Sequence, residues 1–281
     1  MQPVKVLVDS TAGISQCLAE RWNIGIVPLR VLWNGTTYQD REDQLPSTFY
    51  ADLKTTTTNP ATSAPNPTDF LSTYRAVLDL GYKQILMVTA SAKLTAVYSN
   101  ARVAAEALGA ETVTVFDSNQ GAGALALVAA RAAGVAGTGA DLDNVLRATK
   151  QASQVTRLFM ILNTLEYLRR SGRLSTPKAL IGNLLQVKPI ITLVDGKLQV
   201  GERPRTIGKA LQRVLELLDS IPPPEHILLM YADNLVQANE LKETLQQRFP
   251  QAEMDISPIS SVIAGNTGPG VLGVAVRSAF G

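Results

Sequence analysis

QILMVTASAKLTAVYSNARVAAEAL, Gln84 to Leu108, holds the architecture in miniature. Gln84 to Thr89 is a short apolar run bounded by small turn residues, and Thr95 to Leu108 is an alanine-rich segment of helical period. A run of that length closed by turn signals reads as a strand, and the segment after it as a helix. The same theme recurs on both sides. Val4 to Val8, Ile26 to Trp33 and Thr112 to Phe116 read as further strands, and Thr68 to Leu80, entered through prolines, as a further helix. Strands alternating with helices predict an α/β fold with a mostly parallel sheet flanked by helices.

Beyond this half the pattern changes. Gly134 to Gly139 (GVAGTG) closes one helix, and Asp141 is placed to cap the next, Leu142 to Gln154. Leu158 to Leu162 and Pro189 to Leu193 then read as strands. Asp195-Gly196, between Ile190-Ile191-Thr192 and Leu198-Gln199-Val200, reads as a two-residue hairpin turn. A helix from Ile207 to Leu218 ends at Pro222 to Pro224, and Ile227 to Tyr231 and Leu235 to Arg248 add a strand and a helix. This is an α+β pattern. The expected domains are residues 1–155 and 156–281, with Val271 to Val276 a strand that could pack on either.

The 281 residues exceed what one core usually organises, which agrees with two domains and a crevice between them. Hydrophobic residues make up 46% and charged residues 18%, which describes a folded globular chain. Twenty-six basic against twenty-four acidic residues, with no run of five like charges, leave no nucleic-acid footprint. The single cysteine, Cys17, has no internal partner and is expected as a small buried filler. No window approaches the ~18 uncharged apolar residues of a membrane span, and the chain runs straight into KVLVDS, so a cytoplasmic protein is expected.

Several motifs are weighed against their chemistry. GAGALA, Gly121 to Ala126, has the outline of a dinucleotide fingerprint, but about 20 residues on stand a glycine-rich loop and Asp141, a helix cap, where an acidic residue ending a strand is needed. GNTGPG, Gly265 to Gly270, could cradle an anion through its amides but lacks the Lys-Ser/Thr of a nucleotide P-loop. The one histidine, His226, enters a strand after three prolines, a position suited to a structural or solvent-facing residue. No His, Cys, Asp and Glu stand at metal-ligand spacing, so no metal is expected. What recurs is hydroxyls in loops: Ser10-Thr11, Thr62-Ser63, Ser91 with Thr95, and Ser118. Each alone reads more readily as a helix cap or turn former. Together they fall at or near the carboxyl ends of parallel strands, where open α/β sheets bind ligands.

These residues resemble the DegV family along nearly the whole chain. VLVDSTAGI, Val6 to Ile14, is similar to its first strand and DS[TS] turn. Thr62-Ser63-Ala64-Pro65-Asn66-Pro67 looks like its TSQPS loop, with alanine for the glutamine and asparagine for the last serine. Ser91 to Tyr98 looks like SSKLSGTY, with Thr95 for a serine, and Asp117-Ser118 matches a later DS. Thr164 to Leu174 is similar to TLEYLKKGGRI, Lys188-Pro189-Ile190 to KPI, and Ile263 to Gly270 to IGAHTGPG, with Asn266 where histidine is common.

The resemblance implies a two-domain DegV-like fold and a long-chain fatty acid, such as palmitate, laid in an apolar slot. Its carboxylate would be held by Thr62 and Thr95, supported by Ser63 and Ser91, with Arg173 and Asn266 in the head-group network. It further implies a bacterial fatty-acid kinase as partner, facing Arg205 and supplying the chemistry of fatty-acid metabolism, so that this chain has no catalytic residue and no cofactor. Two other readings stay open at this point: an acyl transferase or hydrolase using the same hydroxyls, and a regulatory interaction protein.

Overall fold

The structure, a computed structural model, describes residues 3–279 apart from 42, 44, 46, 110 and 175–186. Its strands form three sheets. The first is parallel throughout, in the order Ile24–Val27, Val4–Asp9, Gln84–Thr89, Val113–Asp117. The second runs Lys197–Val200, Ile190–Val194, Thr156–Ile161, Leu272–Ser278, Pro224–Tyr231, Glu253–Pro258, with only its last pair parallel. The third is a small antiparallel sheet of Thr36–Gln39, Arg30–Trp33 and Ala61–Ser63. The carboxyl-terminal strand, left open between two domains by its sequence, lies inside the second sheet.

One strand differs from its sequence reading. Ile26 to Trp33 is broken at Pro28, so that Ile24–Val27 joins the parallel sheet and Arg30–Trp33 the small antiparallel one. Proline has no N–H for a ladder. Leu29 completes the break, because its N–H donates to Ser10 Oγ at 3.0 Å and its carbonyl accepts from Asp40 N at 2.8 Å.

The helix Ala122–Gly137 joins the layers. Eleven of its sixteen residues are buried, and they lie on every side of it. A helix that is apolar all round is covered all round. This one packs on Val4–Asp9 of the first sheet and on Thr156–Ile161, Leu272–Ser278 and Pro224–Tyr231 of the second. Small residues set the spacing: a Cβ on Gly123 would lie 2.7 Å from Met230 Sδ and 3.1 Å from Ala275 Cβ. The second glycine of GAGALA, Gly123, thus serves close helix-to-sheet packing. A second core, including Val214, Leu218, Leu229 and Leu245, fills the opposite face of the six-stranded sheet.

Cys17 is exposed, which corrects the expectation of a buried filler. The helix Gln16–Arg21 buries Leu18 and Ala19, and Cys17 falls on its outer face. Among the described residues no helix is long and apolar enough to cross a membrane.

Candidate ligand-binding slot

At the carboxyl end of the parallel sheet the loops converge on a narrow cavity of about 110 Å³. Its walls come from every layer: Thr11, Ala90 and Leu94 from loops after the first-sheet strands, Gly121 and Ala122 from the start of the central helix. Leu158, Met160, Leu193 and Leu198 come from the six-stranded sheet, and Val262, Ile263, Asn266 and Thr267 from the helix Ser261–Thr267. Most of these side chains are aliphatic. The polar ones are chiefly hydroxyls.

Asp9 organises the loops behind this wall. It is fully buried, and its carboxylate accepts from Thr11 N at 3.1 Å, Thr11 Oγ1 at 2.5 Å and Ala90 N at 2.7 Å. Burial pushes its pKa upward, against the three hydrogen bonds, which favour the charged form. Two loops from neighbouring strands are therefore fixed to one carboxyl group. Asp9→Ala is expected to lower the unfolding free energy by about 3 kcal/mol, since it orphans two buried amides and a hydroxyl. Urea denaturation measures this, and an unchanged midpoint would show that the three bonds contribute nothing net.

Five residues singled out in the sequence line the same cavity: Thr62, Ser63, Thr95, Arg173 and Asn266. Thr62 and Ser63 arrive on the strand Ala61–Ser63, held against Arg30–Trp33 with Thr62 paired to Val31. Thr95 sits in the turn before the helix Val97–Glu106. No hydrogen bond joins the hydroxyls of Thr62, Ser63 or Thr95 to a described residue. Across the mouth, Arg173 Nη1 donates to Asn266 Oδ1 at 3.1 Å and to the Ser171 carbonyl at 3.1 Å, while Asn266 Nδ2 donates to the Val262 carbonyl at 2.7 Å. Beyond Thr62, Arg173 and Asn266 the mouth widens into a second, polar pocket that adds Arg170, Asn59 and the Thr57-Thr58 turn.

Two of the singled-out residues lie elsewhere. Ser91 is buried but outside the cavity, and its Oγ donates to the Gly196 carbonyl at 2.8 Å while accepting from Lys93 N at 3.2 Å. Its one O–H is thus given to the Gly196 carbonyl, and in this arrangement Ser91 holds the loop against the hairpin tip. Arg205 is exposed at the entry to the helix Ile207–Asp219, away from the slot. The aliphatic wall residues Leu193 and Leu198 went unnoticed in the sequence. Their signal was available, because they form a cross-strand pair around the Asp195-Gly196 turn and so share a face.

GNTGPG makes no anion cradle. Gly268 N donates to the Ala264 carbonyl at 2.8 Å and Gly270 N to Asp233 Oδ1 at 2.6 Å, which uses up the amides in question. His226 is buried, bonded to Asp255 Oδ2 at 2.9 Å and set edge-on to Trp22. Contrary to the spacing argument, the parallel pairing of Pro224–Tyr231 with Glu253–Pro258 brings His226, Glu253 and Asp255 together, their ligand atoms within 4.8 Å of one another. Arg21 already occupies this cluster, 2.5 Å from Asp255 Oδ2 and 3.6 Å from Glu253 Oε1. Although burial opposes it, His226 and Arg21 together hold the Asp255 pKa below the usual carboxylate value. The group is an ion-paired clamp between Gln16–Arg21 and the edge of the six-stranded sheet.

An apolar slot with uncommitted hydroxyls and a guanidinium at one end suits a molecule with an apolar body and a single polar, acceptor-rich end. The fold and the slot thus define a class, an α/β protein with an aliphatic slot edged by hydroxyls and a guanidinium. The chain belongs to the DegV family, whose model, "Uncharacterised protein, DegV family", matches residues 3–279. It is similar to a fatty acid-binding protein of Thermotoga maritima, 29% identical, across 98% of this chain and 97% of that protein. It is also similar to two solved structures. One is a DegV family protein from Thermus thermophilus reported for fatty acid binding (29% identity, TM-score 0.89, 99% of this chain and 100% of that one). The other is DegV, a fatty acid binding protein from Bacillus subtilis (27% identity, TM-score 0.87, 99% and 100%).

Proposed function

We propose that this chain binds one long-chain fatty acid non-covalently and presents its carboxyl group to a separate kinase, itself catalysing nothing. The observation that carries the reading is the pairing of an aliphatic slot with uncommitted Thr62 and Thr95 hydroxyls at its polar end. In this reading residues 1–155 and residues 156–281 line the slot in equal shares, and the acid lies between them. The acyl tail lies among Leu94, Met160, Leu193 and Leu198, and the carboxylate accepts from Thr62 and Thr95 with Ser63, Arg173 and Asn266 beside it. Arg205 faces the kinase, which makes the acyl phosphate in the cytoplasm.

The magnitudes assign roles to the two ends. At ~0.8 kcal/mol per buried CH₂, about 14 methylenes offer ~11 kcal/mol before the costs of binding are subtracted. A hydrogen bond to a charged group adds about 1.5–3 kcal/mol. The tail therefore supplies affinity, and the hydroxyls with Arg173 fix which end faces out and keep the carboxylate ionised in a dry site. A slot of about 110 Å³ is narrow for such a tail, so leucine and methionine rotamers must part to admit it. Hydrolysis by the same hydroxyls lacks a base: the chain's one histidine, His226, is bonded to Asp255 outside the slot.

Native and denaturing mass spectrometry of the purified protein tests the proposal. The expected result is one fatty acid per chain, lost on denaturation and regained from added C14 to C18 acids. Thr62→Ala and Thr95→Ala should each weaken binding by about tenfold. A folded chain that takes up none of these acids sinks the proposal.

A further inference from the structure

The hairpin Ile190–Val194 and Lys197–Val200 supplies two aliphatic residues of the slot, Leu193 and Leu198, as a cross-strand pair. It is also the outermost part of its sheet. Among the described residues, Lys197–Val200 pairs with Ile190–Val194 and otherwise through a single bridge at Leu174. An edge hairpin with one ladder neighbour opens at lower free energy than the strands beneath it. The remaining aliphatic walls stand on the buried start of the central helix, on inner strands, on short helices and, at Leu29, Ala64, Ala90 and Leu94, on loops of the first half.

The tip of this hairpin does not float. Asp195 and Gly196 turn with φ of 48° and 72°, both left-handed as a two-residue hairpin requires. The tip is pressed into the loops of the parallel sheet. Ser91 Oγ donates to the Gly196 carbonyl at 2.8 Å, and Lys93 Nζ donates to the Asp195 carbonyl at 2.6 Å. A Cβ on Gly196 would lie 2.4 Å from Ser91 Oγ and 2.7 Å from Asn119 Oδ1, so the approach needs glycine while those two side chains stand where they are. Each anchor is a near neighbour of a slot residue: Ser91 follows Ala90, Lys93 precedes Leu94, and Asn119 stands two before Gly121. Undocking the tip would withdraw Leu193 from Leu94 and Gly121 and unroof the slot along its length.

From this we propose that the hairpin is the moving wall of the slot, and that Ser91 and Lys93 are positioning residues of a latch that sets how fast the acyl chain enters and leaves. The inference rests on the fatty-acid reading above. The latch is made between protein groups in the closed state, with or without ligand, so loosening it raises the rates of entry and exit together and leaves affinity nearly constant. A residue that held the ligand itself would change affinity instead.

Stopped-flow exchange of a fluorescent long-chain fatty acid tests the latch, with Kd measured at equilibrium on the same samples. Ser91→Ala should speed association and dissociation each by about tenfold, and Lys93→Met each by about threefold, with Kd shifted less than about threefold. Lys93 is exposed, so its variant reports even where Ser91→Ala weakens folding. A locked form gives the converse. Ser91 Cβ lies 3.3 Å from the Cβ position of Gly196, close to the ~3.5–4.5 Å that a disulfide spans. In a Cys17→Ser background, Ser91→Cys with Gly196→Cys should, once oxidised, slow exchange at least about a hundredfold, and reduction should restore it. Unchanged rates in Ser91→Ala and Lys93→Met, with the acid still bound, overturn the latch and leave the binding proposal standing. A changed Kd with unchanged entry overturns it too and returns Ser91 to ligand contact. Failure of the unmodified protein to bind the probe overturns the binding proposal itself.

Discussion

Gly121→Leu is expected to weaken fatty-acid binding by about a hundredfold or more in a chain that still folds. Gly121 caps the central helix with φ of −159° and ψ of 168°, an extended conformation open to any residue, and donates no side-chain bond whose loss would matter. A Cβ there meets Leu193 Cδ1 at 3.7 Å and Leu94 Cδ1 at 3.9 Å, ordinary contact distances, so the first carbon fits. The remaining three carbons must enter the slot. They displace three or four methylenes of a tail, each ~0.8 kcal/mol, which amounts to a loss of about a hundredfold or more in affinity. Stability should change by less than about 1 kcal/mol, the scale of an unfavourable cap residue. Isothermal titration with a C16 acid beside a thermal melt separates the two quantities. Undiminished affinity in the folded variant would place the acyl chain somewhere other than between the hairpin and the central helix.

Leucine at 121 also marks where sequence reading succeeds and where it stops. Strand and helix periods located most elements within a residue or two, because the strand Gln84–Thr89 and the helices Ile207–Asp219 and Leu235–Arg248 carry their own local signals. Pro28 was the missed signal: one proline inside an apolar run divides it between two sheets. Thr95 was legible from its loop after the parallel strand Gln84–Thr89, whereas Thr62, read as a loop residue, arrives on a strand of the small antiparallel sheet. Ser91 was not separable from them, for its partner is the carbonyl of Gly196, more than a hundred residues away. The same distance in sequence hid the clamp of Arg21, His226, Glu253 and Asp255, which exists only through strand register. GNTGPG misled in a further way. Glycine-rich spacing announces close approach, and in this chain what approaches is the Tyr167 ring.

That approach predicts the largest loss of stability. Gly268 adopts φ of 83° and ψ of −179°, a region that residues with a Cβ all but never occupy. A Cβ there would lie 2.4 Å from Tyr167 Cδ2 and Cε2. The ring cannot step aside, because it is buried, its hydroxyl donates to the Leu53 carbonyl at 2.5 Å, and its own carbonyl accepts from Asn59 Nδ2 at 2.8 Å. Gly268→Ala therefore combines backbone strain of about 1–3 kcal/mol with overpacking of about 1–3 kcal/mol, and a total near 4 kcal/mol is a large part of a typical unfolding free energy. A double-mutant cycle divides the two terms. Tyr167→Leu is itself destabilising, yet in its background Gly268→Ala should lose only the strain, so the pair should be coupled by about 1–3 kcal/mol in urea denaturation. Strict additivity would show that the ring and the glycine do not constrain one another. The consequence reaches the slot, since the helix ending at Gly268 carries Asn266, and the helix that begins beside Tyr167 leads to Arg173. Their 3.1 Å hydrogen bond at the slot mouth depends on how closely those two helices meet, and the missing Cβ at position 268 is what lets them meet there.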